Sequence, residues 1–224
     1  MAERLADIEA SIGSVRQLSA VIGAMRGIAA VRLREAQGRL EGVRAHATTV
    51  AGAIAEALAL APAPPPAPHH EGGGLVIALC GEHGFTGRHD EPILDRALAL
   101  AGRSDNLLLV GDRGLSKAME RGIKPWRSLA MAAHAEEVPA LANRVADLLY
   151  AWLLQGEGAS VNIVHAAPDH AYPEQVIERR LLPFDFARFG ALPLGRRALV
   201  NLSPVHLLER LSEEYVFAEI CEAL

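Results

Sequence analysis

Cysteine is almost missing from this sequence: Cys80 and Cys221 are the only two in 224 residues. That count excludes a disulfide framework and a four-cysteine zinc site, and it fits a reducing, cytosolic setting. Lysine is nearly as scarce, because 20 of the 22 basic residues are arginine. Basic contacts therefore fall to planar guanidinium forks rather than to ammonium point charges. With a net charge of −5 there is no basic excess to draw DNA or RNA to the chain as a whole. Charged residues at 22% and hydrophobic residues at 50% describe a folded protein rather than a disordered one. The start, Met-Ala-Glu-Arg, has no apolar signal core, and the most apolar stretch, 50–61, is too short to span a bilayer and carries Glu56. Membrane contact is therefore expected only through partners.

Proline is absent from 2–61, and apolar residues recur there at alternating steps of three and four. One seven-residue series reads Ile8, Val15, Ile22, Ala29, Ala36, Val43, Val50 and Ala57; the other reads Ile12, Ser19, Arg26, Leu33, Leu40, Ala47 and Ile54. Only Ser19 and Arg26 interrupt the seam. Sustained over such a length, the pattern predicts a coiled-coil helix, a rod of roughly 90 Å at about 1.5 Å per residue. Between residues 18 and 31 the apolar face widens to take in Leu18, Val21, Met25, Ile28 and Val31, so that this part is expected to touch more than one neighbour. The pairs Gly23/Gly27 and Gly38/Gly42 leave backbone bare for the close approach of another helix, or are merely tolerated.

Prolines and glycines crowd 62–74 and mark a semi-rigid linker. Beyond it short apolar runs alternate with amphipathic stretches: strands at 75–80, 107–110, 160–166 and 174–182, helices at 92–101, 115–121 and 135–155. Such alternation predicts an α/β domain over 75–200, a Rossmann-like, mostly parallel sheet flanked by helices. Ser203 followed by Pro204 starts a last helix, which covers 201–224.

Chemistry is hard to find. The loop 81–87 follows a strand and precedes a helix, where backbone amides can hold a phosphate, but its spacing is G-x-x-G-x-x-G and no acidic residue is placed for a ribose. The stretch from Gly111 to Lys117 lacks the order of a triphosphate-binding loop. His83, His89 and Asp90, or Asp169 and His170, are candidates for a metal or acid/base site, as are His69 and His70 in the linker; each reads more simply as loop surface. Cys80, at a strand end, reads as core rather than nucleophile. We expect no catalytic residues, no cofactor and no metal. Arg16, Arg26, Arg32 and Arg34 stand out, because no acidic residue lies between residues 10 and 34. They form either a solvated helix face or a positive collar that meets acidic loops of a partner, and Arg26 sits on the apolar seam, where an unpaired charge is expensive if buried.

The stretch 22–37, I-G-A-M-R-G-I-A-A-V-R-L-R-E-A-Q, resembles the N-terminal helix of ATP synthase γ subunits, typically I-T-K-A-M-K-M-V-A-A-A-K-L-R-R-A-Q. Residues 5–8 and 12–15 resemble the family's L-x-x-I and I-x-S-V start, 81–87 its D-R-G-L-C-G-G loop, 111–114 its G-x-K-G turn, and 207–224 the beginning of its C-terminal helix, with Tyr215 at the family's tyrosine. The resemblance implies a rotor. The first and last helices form an antiparallel coiled-coil shaft inside a ring of α and β subunits, and the α/β domain forms a foot beside the ε subunit and the membrane c-ring. It also implies a peripheral position on the cytoplasmic face of a bacterial membrane, with catalysis on the partner β subunits and none here. Ile22, Met25, Arg26, Ile28, Arg32 and Arg34 are then the partner-binding residues of the shaft, the arginines facing acidic β-subunit loops. Gly27 departs from the family's bulky methionine, and the loop reads C-G-E-H-G-F-T-G. Family members also continue beyond the position that matches Leu224, so the C-terminal end of the family is expected to be lacking. The rival expectation is a free-standing α/β nucleotide-binding protein or enzyme with a helical dimerisation arm.

Overall fold

The computed structural model describes residues 2–60, 74–84, 89–102, 106–155, 160–167, 175–189 and 200–224. Most of the expected linker, with His69 and His70, lies outside them, as do part of the 81–87 loop, Asp169 and His170.

The elements in chain order are α1 (Ala2–Leu60), β1 (Leu75–Leu79), α2 (Asp90–Ala101), β2 (Leu107–Val110), α3 (Asp112–Glu120), β3 (Arg127–Leu129), α4 (Val138–Leu154), β4 (Val161–Ala166), β5 (Val176–Leu182) and α5 (Pro204–Ala223). Two compact units divide the chain within α1: Met1–Gly42 and Val43–Leu224. The first is a continuous stretch of helix, as expected of a sequence without proline and with an unbroken apolar repeat.

The second unit is built on a five-stranded sheet of order β3-β2-β1-β4-β5, in which only the β4–β5 pairing is antiparallel. A strand covered on both faces has no reason to alternate with polar residues, and β1 accordingly reads Leu-Val-Ile-Ala-Leu, buried throughout. Its side chains still alternate by face. Leu75, Ile77 and Leu79 join one core with Leu108 and Val110 of β2, Val161 and Ile163 of β4, and Leu141, Val145, Leu149 and Trp152 of α4. Val76 and Ala78 join the other with Leu107 and Leu109, and with Ile93, Leu94 and Ala97 of α2. This is the Rossmann-like, mostly parallel α/β body expected of the sequence, its strands following the 3-2-1-4-5 order of a doubly wound sheet with the last strand reversed.

Helix α5 begins at an N-cap, the Ser203 hydroxyl accepting from the His206 amide at 3.4 Å, followed by Pro204 in the first turn. It packs in two directions. Val216, Ile220 and Cys221 reach the α4 side of the sheet, while Leu208 and Tyr215 meet Val50, Ile54 and Ala57 of α1. Arg44 of α1 pairs with Glu222, and His46 with Glu214. Rising numbers on α1 thus meet falling numbers on α5, which makes the pairing antiparallel.

Several boundaries differ from the sequence reading. Strand β3 was not expected, because it is three residues long, lies at the sheet edge, and exposes Arg127 and Ser128, leaving no apolar alternation to detect. The helix expected from 135 opens instead with a 3-10 turn, Ala135–Glu137, and becomes α-helical at Val138, with Pro139 in its first turn. The helix expected at 115–121 starts earlier, at Asp112.

Candidate functional site

Two places compete for function: the C-terminal edge of the parallel strands and the exposed face of the first unit.

Ligands of doubly wound sheets bind beyond the C-terminal ends of the strands, where loop amides and helix N-termini are free to take anions. Here, among the described residues, several of those amides already have acceptors. The Gly81 amide donates to Asp90 Oδ1 at 2.7 Å. Glu82 Oε2 accepts from the amides of Asp112, at 3.1 Å, and of Met131, at 2.8 Å, so one carboxylate ties together the loops that follow β1, β2 and β3. The Arg113 amide donates to the Gly81 carbonyl, at 3.1 Å. Gly111, with φ at 109°, passes so close to β1 that a Cβ there would lie 2.4 Å from the Cys80 carbonyl oxygen. Carboxylates at this edge repel a phosphate rather than hold one. The Cys80 thiol sits in the core at 3% exposure, and burial, with Asp90 adding to it, pushes its pKa up to about 12. A thiol so placed is no nucleophile. Among the described residues, no three His, Cys, Asp or Glu side chains come together as a metal site.

The exposed face differs in kind. Along α1 the same apolar series is covered in one part and bare in another. Val50, Ile54 and Ala57 are buried, Ile54 completely, whereas Ile12 is 45% exposed, and Ile8, Val15, Ile22 and Leu33 are exposed with it. Leu18, Val21, Met25, Ile28 and Val31 are exposed too. Large aliphatic side chains at this density along one helix mark an interaction surface rather than chance exposure.

Around the axis, at about 100° per residue, Ile22, Met25, Ile28 and Arg32 fall within an arc of roughly 120°. Arg26 lies just beyond that arc on the Ile22 side, and Arg34 points nearly opposite to Arg32. The six candidate residues thus wrap the helix instead of forming one patch. All three arginines are exposed, and Arg34 Nε donates to the Ala30 carbonyl at 3.3 Å. Arg26, although on the seam, is not a buried charge. A Cβ added at Gly23, Gly27, Gly38 or Gly42 would meet nothing within 4 Å.

A further cluster escaped the sequence reading. Glu219 and Glu222 of α5 take ion pairs from Arg179 of β5, at 2.7 and 3.2 Å, from Arg44 of α1, at 3.0 Å to Glu222, and from Arg188, at 3.6 Å to Glu219. Its one sequence signal is a pair of carboxylates three apart in 215–224, an otherwise apolar stretch at the end of α5.

No helix among the described residues is long and apolar enough to cross a membrane.

Comparison with known proteins places these features. The family model described as ATP synthase matches residues 4–224. The chain is 26% identical over 213 residues to the ATP synthase gamma chain of Gluconacetobacter diazotrophicus, covering 89% of this chain and 73% of that protein. Among solved structures, a chain from the central stalk and c-ring of the Tetrahymena thermophila mitochondrial ATP synthase is similar in fold, with a TM-score of 0.58 at 16% identity and 89% of each chain covered. A chain of the Euglena gracilis mitochondrial ATP synthase gives a TM-score of 0.37 at 12% identity, over 85% of this chain and 81% of that one.

Proposed function

This chain belongs to the ATP synthase γ-subunit family, and from that premise we propose that it is a central-stalk rotor, coupling ion-driven rotation of a membrane ring to ATP synthesis or hydrolysis in a ring of α and β subunits. The observation that carries the reading is the division of one apolar stripe, whose large side chains are exposed as far as Leu33 and which is buried at Ala47, Val50, Ile54 and Ala57, the last three against α5 and the phenylalanines of 184–189. A helix that exposes Ile, Leu, Val and Met for turn after turn gains little from propensity alone and depends on a partner to bury that face.

In this reading the bare part of α1 turns inside the sleeve formed by the α and β subunits. Ile22, Met25 and Ile28 bear on apolar walls, and Arg26, Arg32 and Arg34 face acidic loops of the β subunits. Because the six residues surround the axis, each turn presents a different combination of charge and apolar surface to each catalytic site in succession. The chain supplies no catalytic group of its own; catalysis lies in the β subunits. The α/β body, 75–200, is the foot against the ε subunit and the c-ring, and 201–224 begins the second shaft helix. The complex then lies peripherally on the cytoplasmic face of a bacterial membrane, held there by its partners. Carboxylates on the loop amides at the sheet edge speak against the rival nucleotide-binding reading.

Co-expression with α and β subunits tests the proposal. An isolated complex that hydrolyses ATP and turns a bead fixed to this chain is the expected result. A chain that stays apart from the ring, or a stationary bead on an active ring, overturns it.

A further inference from the structure

The contacts that join α5 to its surroundings are of two physical kinds. Apolar packing by Val216, Ile220 and Leu208 resists separation, but the hydrophobic effect is non-directional and does little to oppose one surface sliding along another. Charge-assisted hydrogen bonds between guanidinium and carboxylate are directional and fail when the partners shift by an ångström or two. In α5 the guanidinium contacts that reach other elements gather, among the described residues, around one short stretch, and the imidazole pair His46–Glu214, at 2.9 Å, is a further polar contact to α1. Glu219, 5% exposed, accepts from Arg179 Nη1 at 2.7 Å and lies 3.6 Å from Arg188 Nη2. Glu222 accepts from the same Arg179 nitrogen at 3.2 Å and from Arg44 Nε at 3.0 Å. Arg188 is stacked in turn over the rings of Tyr215, at 5.5 Å, and Phe189, at 5.8 Å. Two carboxylates on one helix face therefore grip three separate segments: α1, the sheet edge strand β5, and the 3-10 turn Phe186–Phe189. By contrast, the pairs His206–Glu209 and Arg210–Glu213 stay within α5 and fix it to nothing.

We propose that Glu219 and Glu222, with Arg179, Arg44 and Arg188, form the torsional lock through which the α/β body and the paired helices α1 and α5 turn as one. They are positioning residues. The proposal rests on the rotor reading, because a lock against sliding has work to do only where torque passes between the body and the helices. Burial by itself would lower the Arg179 pKa, yet the hydrogen bonds that Arg179 donates to Glu219 and then Glu222 outweigh it and hold the guanidinium charged more firmly than usual.

The test uses the complex of this chain with α and β subunits. Both native cysteines are buried, so S128C on exposed β3 provides one point for attaching a bead to the body. The readouts are rotation during ATP hydrolysis and the variance of the bead angle when the ring is stalled with a non-hydrolysable ATP analogue. Glu219→Gln keeps the volume but removes the charge, and the angular variance is expected to rise roughly twofold or more, since the guanidinium partners lose their counter-charge. The rate of ATP hydrolysis should stay unchanged. A residue that only stabilised the fold would lower the melting temperature and leave the variance of the assembled complex alone. Unchanged variance in a complex whose parent rotates overturns the lock and spares the rotor; a parent that does not rotate overturns the rotor reading. Should Glu219→Gln fail to assemble, Arg179→Lys, which keeps the charge but loses the fork, is read by the same two outcomes.

Discussion

Glu82 serves two amides with one oxygen, and Gly111 and Gly114 are glycines because Cys80 and Gly81, just past β1, leave no room for a side chain. Removing the carboxylate strands the amides of Asp112 and Met131, so Glu82→Ala is expected to cost about 1–3 kcal/mol, read as a lower urea midpoint. A Cβ on Gly114 would lie 2.3 Å from Cys80 Cβ and 2.6 Å from its Sγ. Gly114→Ala should therefore destabilise by about 1–3 kcal/mol through overpacking, and pairing it with Cys80→Gly should recover part of that loss. Thiol chemistry follows from the same crowding. Burial raises the Cys80 pKa to about 12 and the Cys221 pKa to about 11, with Glu214 adding to the latter. Neither thiol of the folded chain should react with a disulfide reagent at pH 8, and both should react in guanidinium; prompt labelling without denaturant would contradict the burial described here.

Helix α1 carries one repeat with two fates. At Ile54, enclosed by α5, truncation to alanine removes buried methyl groups and leaves a cavity, so Ile54→Ala should cost about 2–5 kcal/mol. At Ile12, 45% exposed, the same change is expected to stay within about 0.5 kcal/mol in the isolated chain. If that stretch works as a shaft, Ile12→Ala should instead weaken association with the α and β ring, measured by co-purification. Equal losses of stability at the two positions would mean that the bare part of the stripe is covered within the chain itself. The sequence could not distinguish the two, because a seven-residue repeat says that a face is apolar and not which polypeptide covers it.

For the whole molecule the pH response follows from groups spread across the second unit. Burial first, then Glu213, raises the Tyr150 pKa to about 12; burial, then the hydrogen bond to Glu219, does the same for Tyr215. Each of these groups, like the two thiols, holds its proton more tightly folded than unfolded. Their stabilising effect is thus complete below the unfolded values, 9.0 for the thiols and 10.0 for the tyrosines, and is lost as pH rises toward 12. Glu222 acts in the opposite sense. Burial alone would raise its pKa, but hydrogen bonds from Arg179 and Arg44 outweigh burial and lower it, so its contribution is present above 4.5 and is lost as pH falls below that. A denaturation midpoint that declines steeply above pH 9, and less steeply in Tyr215→Phe, is the expected profile; a flat one up to pH 12 would refute it. In the assembled complex, Arg26→Glu with Arg32→Glu should weaken ring association without moving the melting temperature, and added salt should weaken the parent complex likewise. The sequence by itself determined the long helix, the α/β alternation and the run of arginines without an acidic residue between 10 and 34, because each is written in local spacing along the chain. Only the tertiary structure decided where the apolar stripe is covered, that β3 exists, that carboxylates take the amides of Gly81, Asp112 and Met131, and that Glu219 and Glu222 meet three arginines. Those contacts join residues far apart in the chain, and no local pattern encodes which distant side chain closes on which.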